Sequence, residues 1–173
     1  MIKYLLFFAA LLPVSLIAQN TVDGKVGYSE VVEVKGATAA TFTDRANTFM
    51  KIKKIEPKTV GNVISGTGAF KVTYTSVKKG SESGYVKFAI KIMVKDGKYK
   101  VDLSNFIHEG IQGMSSGGSI DLERAECGDA QILHGSWIKI KEQTQEQLTA
   151  FVKELKTKMD NPVKAAPTST TDF

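Results

Sequence analysis

The 173 residues contain one cysteine, Cys127, so no disulfide can form within the chain and the fold must hold by packing alone. They contain two histidines, His108 and His134, which are not spaced four apart, and there are no paired cysteines to complete a zinc-ligand pattern. No internal repeat is present. The one glycine-serine-rich stretch, around Gly110–Ser119, has neither the lysine nor the strand-to-helix setting of a phosphate loop and reads as a mobile loop. After residue 18 no apolar run approaches the roughly 20 residues a spanning helix needs. Aromatics are sparse wherever lysines cluster, with Tyr85 the sole obvious stacking platform, which argues against single-stranded nucleic acid as a partner.

What the chain does have begins with a leader. Lys3 precedes Tyr4–Ile17, an almost wholly apolar run interrupted by Pro13, and Ala18-Gln19 resembles a cleavage point. Residues 1–18 read as a secretory signal peptide; a retained membrane anchor is the alternative, for which the run is short. Without Lys3 the formal charge falls from +5 to +4, mildly basic and too small to imply nucleic acid. Residues 19–160 then form a single α+β domain, with its core in 26–107 and a C-terminal helix at about 140–159. Residues 161–173 read as a disordered tail.

The clearest structural signal is the hairpin Gly84–Phe106. Asp96-Gly97 divides two alternating runs and predicts a type I′ turn. The register counted from that turn sets Val94 against Tyr99, Ile92 against Val101 and Ile90 against Leu103 on a core face. On the wet face it sets Lys95 against Lys98, Met93 against Lys100 and Lys91 against Asp102. Tyr28–Val34 reads as a first strand whose alternation is broken by Glu30. Thr38 caps a helix with Phe42, Ala46, Phe49 and Met50 on one face.

Asn62–Ser76 reads as a long strand, with Gly66 and Gly68 on its apolar face. A helix crossing there, or a bulge, accounts for those glycines. Lys78–Ser83 is the expected turn before the hairpin. His108–Asp129 reads as an irregular stretch with a short extra strand at Ile120–Leu122. Thr144 and Gln147 resemble a capping box for the last helix, which otherwise starts nearer Trp137. The order is therefore β-α-β-β-β, a possible short strand, then α: an antiparallel sheet with helices packed on one face.

Four features together resemble an uncharacterised bacterial secreted family, a domain of unknown function with a TATA-binding-protein-like (TBP-like) fold. They are the capped helix Thr38–Lys54, the strand entry Gly-Asn-Val-Ile-Ser-Gly-Thr-Gly at 61–68, the hairpin Val-Lys-Asp-Gly-Lys-Tyr-Lys-Val at 94–101, and an amphipathic helix after Trp137. The resemblance implies an antiparallel sheet with helices on one face. It supplies no catalytic residues, and the fold name carries no implication of DNA binding.

Two functional readings follow. The first is an exported, non-enzymatic binding or structural module of a Gram-negative cell envelope, periplasmic or secreted, needing no cofactor. Its candidate surface is the wet lysine face of Lys71, Lys87, Lys91, Lys95, Lys98 and Lys100, facing an anionic envelope component or an acidic protein. Such lysines also serve simply to solubilise a face and discourage edge pairing. The second is a secreted enzyme using His108, His134 and acids of the 108–129 stretch: Glu109, Asp121, Glu123, Glu126 and Asp129. A metal site there, or a Cys127–His nucleophile pair, would require the fold to gather residues that the sequence leaves scattered.

Overall fold

The computed structural model describes residues 21–22, 24–76, 80–111 and 115–160. The expected signal peptide and tail lie outside the described residues. Two short strands, β1 (Thr21–Val22) and β2 (Lys25–Val26), pair with each other ahead of the main sheet. The main elements are β3 (Tyr28–Glu33), α1 (Ala39–Ile52), β4 (Lys58–Val60), β5 (Val63–Ser76), β6 (Gly80–Lys95), β7 (Lys98–Gly110), β8 (Gly118–Ser119) and α2 (His134–Asp160). The main sheet is antiparallel and six-stranded, in the order β3-β7-β6-β5-β4, with β8 added to the outer edge of β7.

The hairpin register is as expected at all six named pairs, from Lys95 against Lys98 to Ile90 against Leu103. The turn type differs. Gly97 has φ +77°, but Asp96 is not in the positive-φ region that a type I′ turn demands. Its carboxylate instead accepts the Ala39 N–H at 2.8 Å, placing a negative charge at the N-terminus of α1. That tertiary contact lies outside the local twist preference from which the turn was read. Thr38 caps the same helix, accepting the Thr41 N–H at 3.2 Å.

Further along the hairpin, Lys87 pairs with Ile107 whereas Ala89 pairs with Ser104, so β7 carries one extra residue. Asn105 absorbs it at φ +56°, a conformation asparagine tolerates better than most side chains. A one-residue slip exchanges the two faces of a strand. The bulge therefore turns Phe106 and His108 inward and leaves Ile107 on the surface.

Both helices pack on the inner face. Phe42 of α1 meets Tyr99 at a ring-centroid distance of 5.2 Å, and Phe151 of α2 meets Phe88 at 5.4 Å and Phe49 at 5.2 Å. Gly66 and Gly68 have different causes. A Cβ on Gly66 would lie 2.6 Å from Met50 Cε and 2.9 Å from the Glu56 carbonyl, so the end of α1 does approach there. One on Gly68 would strike the Phe88 ring at 2.4 Å, so a cross-strand aromatic fills that place.

Several boundaries and partners differ from the sequence expectations. β3 stops at Glu33, and β5 starts at Val63. The connection before β6 is shorter than 78–83, because β6 begins at Gly80. The added strand is Gly118–Ser119 rather than Ile120–Leu122; Ile120 is buried below it. β4 on the far edge had no sequence signal. Glu30, the misfit of β3, bonds Lys156 of α2 at 2.8 Å.

α2 begins at His134, one and a half turns or more before the expected start at about 140. Thr144 and Gln147 do not form a capping box. Thr144 is buried and donates to the Ile140 carbonyl at 2.7 Å, while Gln147 reaches the Lys71 carbonyl at 3.0 Å. At the other end of α2, buried Arg45 donates to the Met159 carbonyl at 2.5 Å, a cation at the negative pole of the helix.

Candidate functional site

Among the described residues no helix covers the other face of the sheet. Pair registers place its side chains in rows across the strands. One row runs Val31, Lys100, Met93, Val63 and Val60; the next runs Ser29, Asp102, Lys91, Ser65 and Lys58. Toward the turn lie Glu33, Lys98 and Lys95. Toward the opposite end lie Ala69, Lys87 and Ile107, then Lys71, Tyr85 and Glu109.

Seven lysines (58, 71, 87, 91, 95, 98 and 100) and three acids (Glu33, Asp102 and Glu109) project from this face, a local excess of four positive charges. The six sequence-predicted lysines do share the face, yet they are not equivalent. Lys87 bonds Glu109 at 2.5 Å, and Lys100 bonds Asp102 at 2.9 Å, so each is largely neutralised. Lys71 stands at the far end, across from Tyr85. Lys91, Lys95 and Lys98 are exposed and form no ion pair among the described residues.

Lys95 and Lys98 border a shallow depression of about 370 Å³, which Val31, Val63, Met93 and the paired Lys100 also line. Lys91 stands one row away, between Asp102 and Ser65. Sequence reasoning placed Met93 among the lysines but missed Val31, Val60, Val63 and Lys58. Valine on a wet strand face is unremarkable one strand at a time, and the apolar row emerges only from the order of strands.

The histidine cluster of the alternative reading is not assembled. His108 belongs to β7 rather than to an irregular stretch, and it is fully buried. Its Nδ1 accepts the Gly117 N–H at 3.0 Å, which fixes the neutral tautomer with the proton on Nε2. The ring lies edge-on to Tyr74 at 5.2 Å and to Trp137 at 5.9 Å. Burial pushes its pKa down to about 4, against a smaller upward pull from Glu109.

Burial, and then the nearby Glu82 carboxylate, push Tyr74 up to about 12; burial likewise raises the Cys127 thiol, which disfavours the thiolate a nucleophile needs. Three of the five candidate acids serve elsewhere. Asp121 accepts the Val26 N–H at 2.7 Å, Asp129 pairs with Arg124, and Glu109 is held by Lys87. Among the described residues no three of His, Cys, Asp and Glu are grouped to hold a metal ion.

An antiparallel sheet carrying two helices on one face and, among the described residues, no helix on the other defines an α+β domain of the TBP-like class. Solved structures of other proteins share it. A DUF4468 family protein from Bacteroides ovatus ATCC 8483 matches with TM-score 0.60 and 17% identity, over 87% of this chain and 95% of that one. A TBP-like protein from Parabacteroides distasonis ATCC 8503 matches with TM-score 0.59 and 15% identity, over 82% and 97%. At such identities the likeness carries the fold alone. No family model matches the chain, and no curated protein does.

Proposed function

We propose that this protein is an exported, non-enzymatic binding module of the cell envelope, which holds an anionic partner against the open face of its sheet. The observation that supports it most is the excess of four positive charges on the face that no helix among the described residues covers, a face that also carries an apolar depression rimmed by Lys95, Lys98 and Lys100. A charged rim around an apolar centre suits an anionic amphiphile better than a fully hydrated polyanion, because the valines and Met93 gain only from apolar contact. Among the described residues no helix is long and apolar enough to cross a membrane, so in this reading envelope association comes from surface attraction. The enzyme alternative is weaker, since His108 is sealed and Glu109, Asp121 and Asp129 are engaged elsewhere.

Flotation of the protein with vesicles rich in phosphatidylglycerol, against vesicles of phosphatidylcholine alone, tests the anionic preference. Equal recovery from both would defeat it. Export is tested separately by the intact mass of protein recovered from the producing cell: an N-terminus at Gln19 is expected, and a retained Met1 refutes cleavage.

A further inference from the structure

The outer edge of β5 is partnered along most of its length by two different means. β4 pairs with Val63–Ser65. Beyond a gap, side chains of α2 act as the missing strand: Gln147 donates to the Lys71 carbonyl, Gln143 bonds both backbone groups of Thr73, and Ser136 donates to the Thr75 carbonyl at 2.6 Å. All of these residues are odd-numbered, and the β5–β6 register runs without a bulge. The alternation of an antiparallel strand therefore points the N–H and C=O of Thr67 and Ala69 outward as well. Among the described residues no protein group meets them. Both residues are exposed.

A pocket of about 260 Å³ opens at this gap, with Ala69 on its rim. Phe70, Phe88 and Phe151 floor it, with ring centroids 4.5 to 6.0 Å apart, and Ile55 and Ala150 form its walls. Lys53 and Glu154 bridge its mouth at 2.6 Å and leave it without net charge.

We propose that this gap is a peptide-binding site, in which an extended segment of a partner protein pairs with β5 at Thr67–Ala69 and lowers one apolar side chain into the aromatic pocket. Each half of the site specifies the occupant. Unpaired main-chain donors and acceptors in strand spacing ask for another extended backbone. The pocket is smaller than the roughly 300 Å³ at which ordinary small-molecule sites begin, and its floor is wholly apolar, which fits a single leucine or phenylalanine side chain. The Lys53–Glu154 pair gives no preference for either charge, so this site is distinct from the basic face and does not depend on it.

The test uses the protein with the blocked peptide Thr-Val-Phe-Val-Thr as probe, followed through backbone amide resonances. Shifts should centre on Thr67 and Ala69, and replacing the central phenylalanine of the probe by glycine should weaken binding about tenfold or more, the scale of withdrawing an aromatic side chain from an apolar site. Ala69→Pro removes the outward N–H while sparing every intramolecular bond, as proline does on an edge, and Ala150→Phe fills the pocket from the helix surface. Each should weaken the probe about tenfold with the melting temperature nearly unchanged, for loss of one or more of the few contacts that hold it. Shifts located elsewhere, or equal affinity for both probes on the wild-type protein, would overturn the proposal. So would concentration-dependent self-association abolished by Ala69→Pro, which would make a second copy of the chain the occupant.

Discussion

Gln143 holds the backbone of Thr73 as a neighbouring strand would: its Oε1 accepts the Thr73 N–H at 3.0 Å, and its Nε2 donates to the Thr73 carbonyl at 2.8 Å. A helix running beside a sheet edge thus satisfies main-chain groups with side-chain amides, one of the ways proteins manage exposed strand edges. Gln143→Leu keeps the size and loses both bonds. At about 0.5–1.5 kcal/mol per bond, a loss of about 1–3 kcal/mol is expected in urea unfolding. The Thr73 amide should also exchange faster with solvent. Unchanged exchange at Thr73 would mean that the edge is protected by something else.

The interface between the helices and the sheet centres on Phe49, buried and edge-on to Phe151 at 5.2 Å. Phe49→Ala opens a hole between α1, α2 and the sheet. A cost of about 3–5 kcal/mol is expected. A loss below about 1 kcal/mol would show that the helices can close around the gap.

How far such features are visible beforehand depends on their range. The hairpin register and the buried face of α1 follow from periods of two and 3.6, which any reader of the chain can count. The bulge at Asn105 was missed because one left-handed residue shifts everything after it. Ser104-Asn105 is the sole local signal that Phe106 and His108 turn inward. Asp96, Gln143 and Gln147 were misread or overlooked for a common reason: each spends its polar group on a segment more than fifty residues away. The lysines of the open face were legible by alternation. Their division into paired and unpaired ones was not, since the partners of Lys87 and Lys100 depend on rotamers and on the bulge.

His108 gives the fold a pH dependence whose sign is fixed by its burial. Its pKa in the folded protein, about 4, lies below the ordinary 6.5 of the unfolded chain. Between those values the unfolded state binds the proton first. The contribution is complete above pH 6.5, declines as pH falls toward 4, and is flat below. The loss is on the order of 3 kcal/mol over that window. His108→Leu should flatten this part of the urea-unfolding profile relative to wild type, even if it lowers stability at pH 7 by leaving the Gly117 N–H without its acceptor. Parallel profiles for the two proteins would mean that His108 does not titrate between these limits.

The lysine face offers the sharpest functional discrimination, because its members now fall into two groups. Lys91, Lys95 and Lys98 form no ion pair among the described residues, and the last two line the apolar depression, whereas Lys87 and Lys100 already have carboxylate partners. If the face holds an anionic surface, replacing the first three by serine should lower recovery on phosphatidylglycerol vesicles far more than replacing Lys87 and Lys100. Each exposed contact is worth only about 0–1 kcal/mol, so the effect requires their sum on a rigid sheet. Recovery of the wild type should also fall steeply with salt, as the Debye length contracts from about 10 Å at 0.1 M to about 3 Å at 1 M. Lys153 and Lys158 on the exposed side of α2 make the proper control, since Lys156 is tied to Glu30 and its loss would disturb the fold. Equal recovery of the triple variant and the wild type would reduce these lysines to a solubilising coat. Equal loss from the α2 control would mean that net charge alone, and not this face, draws the protein to the membrane.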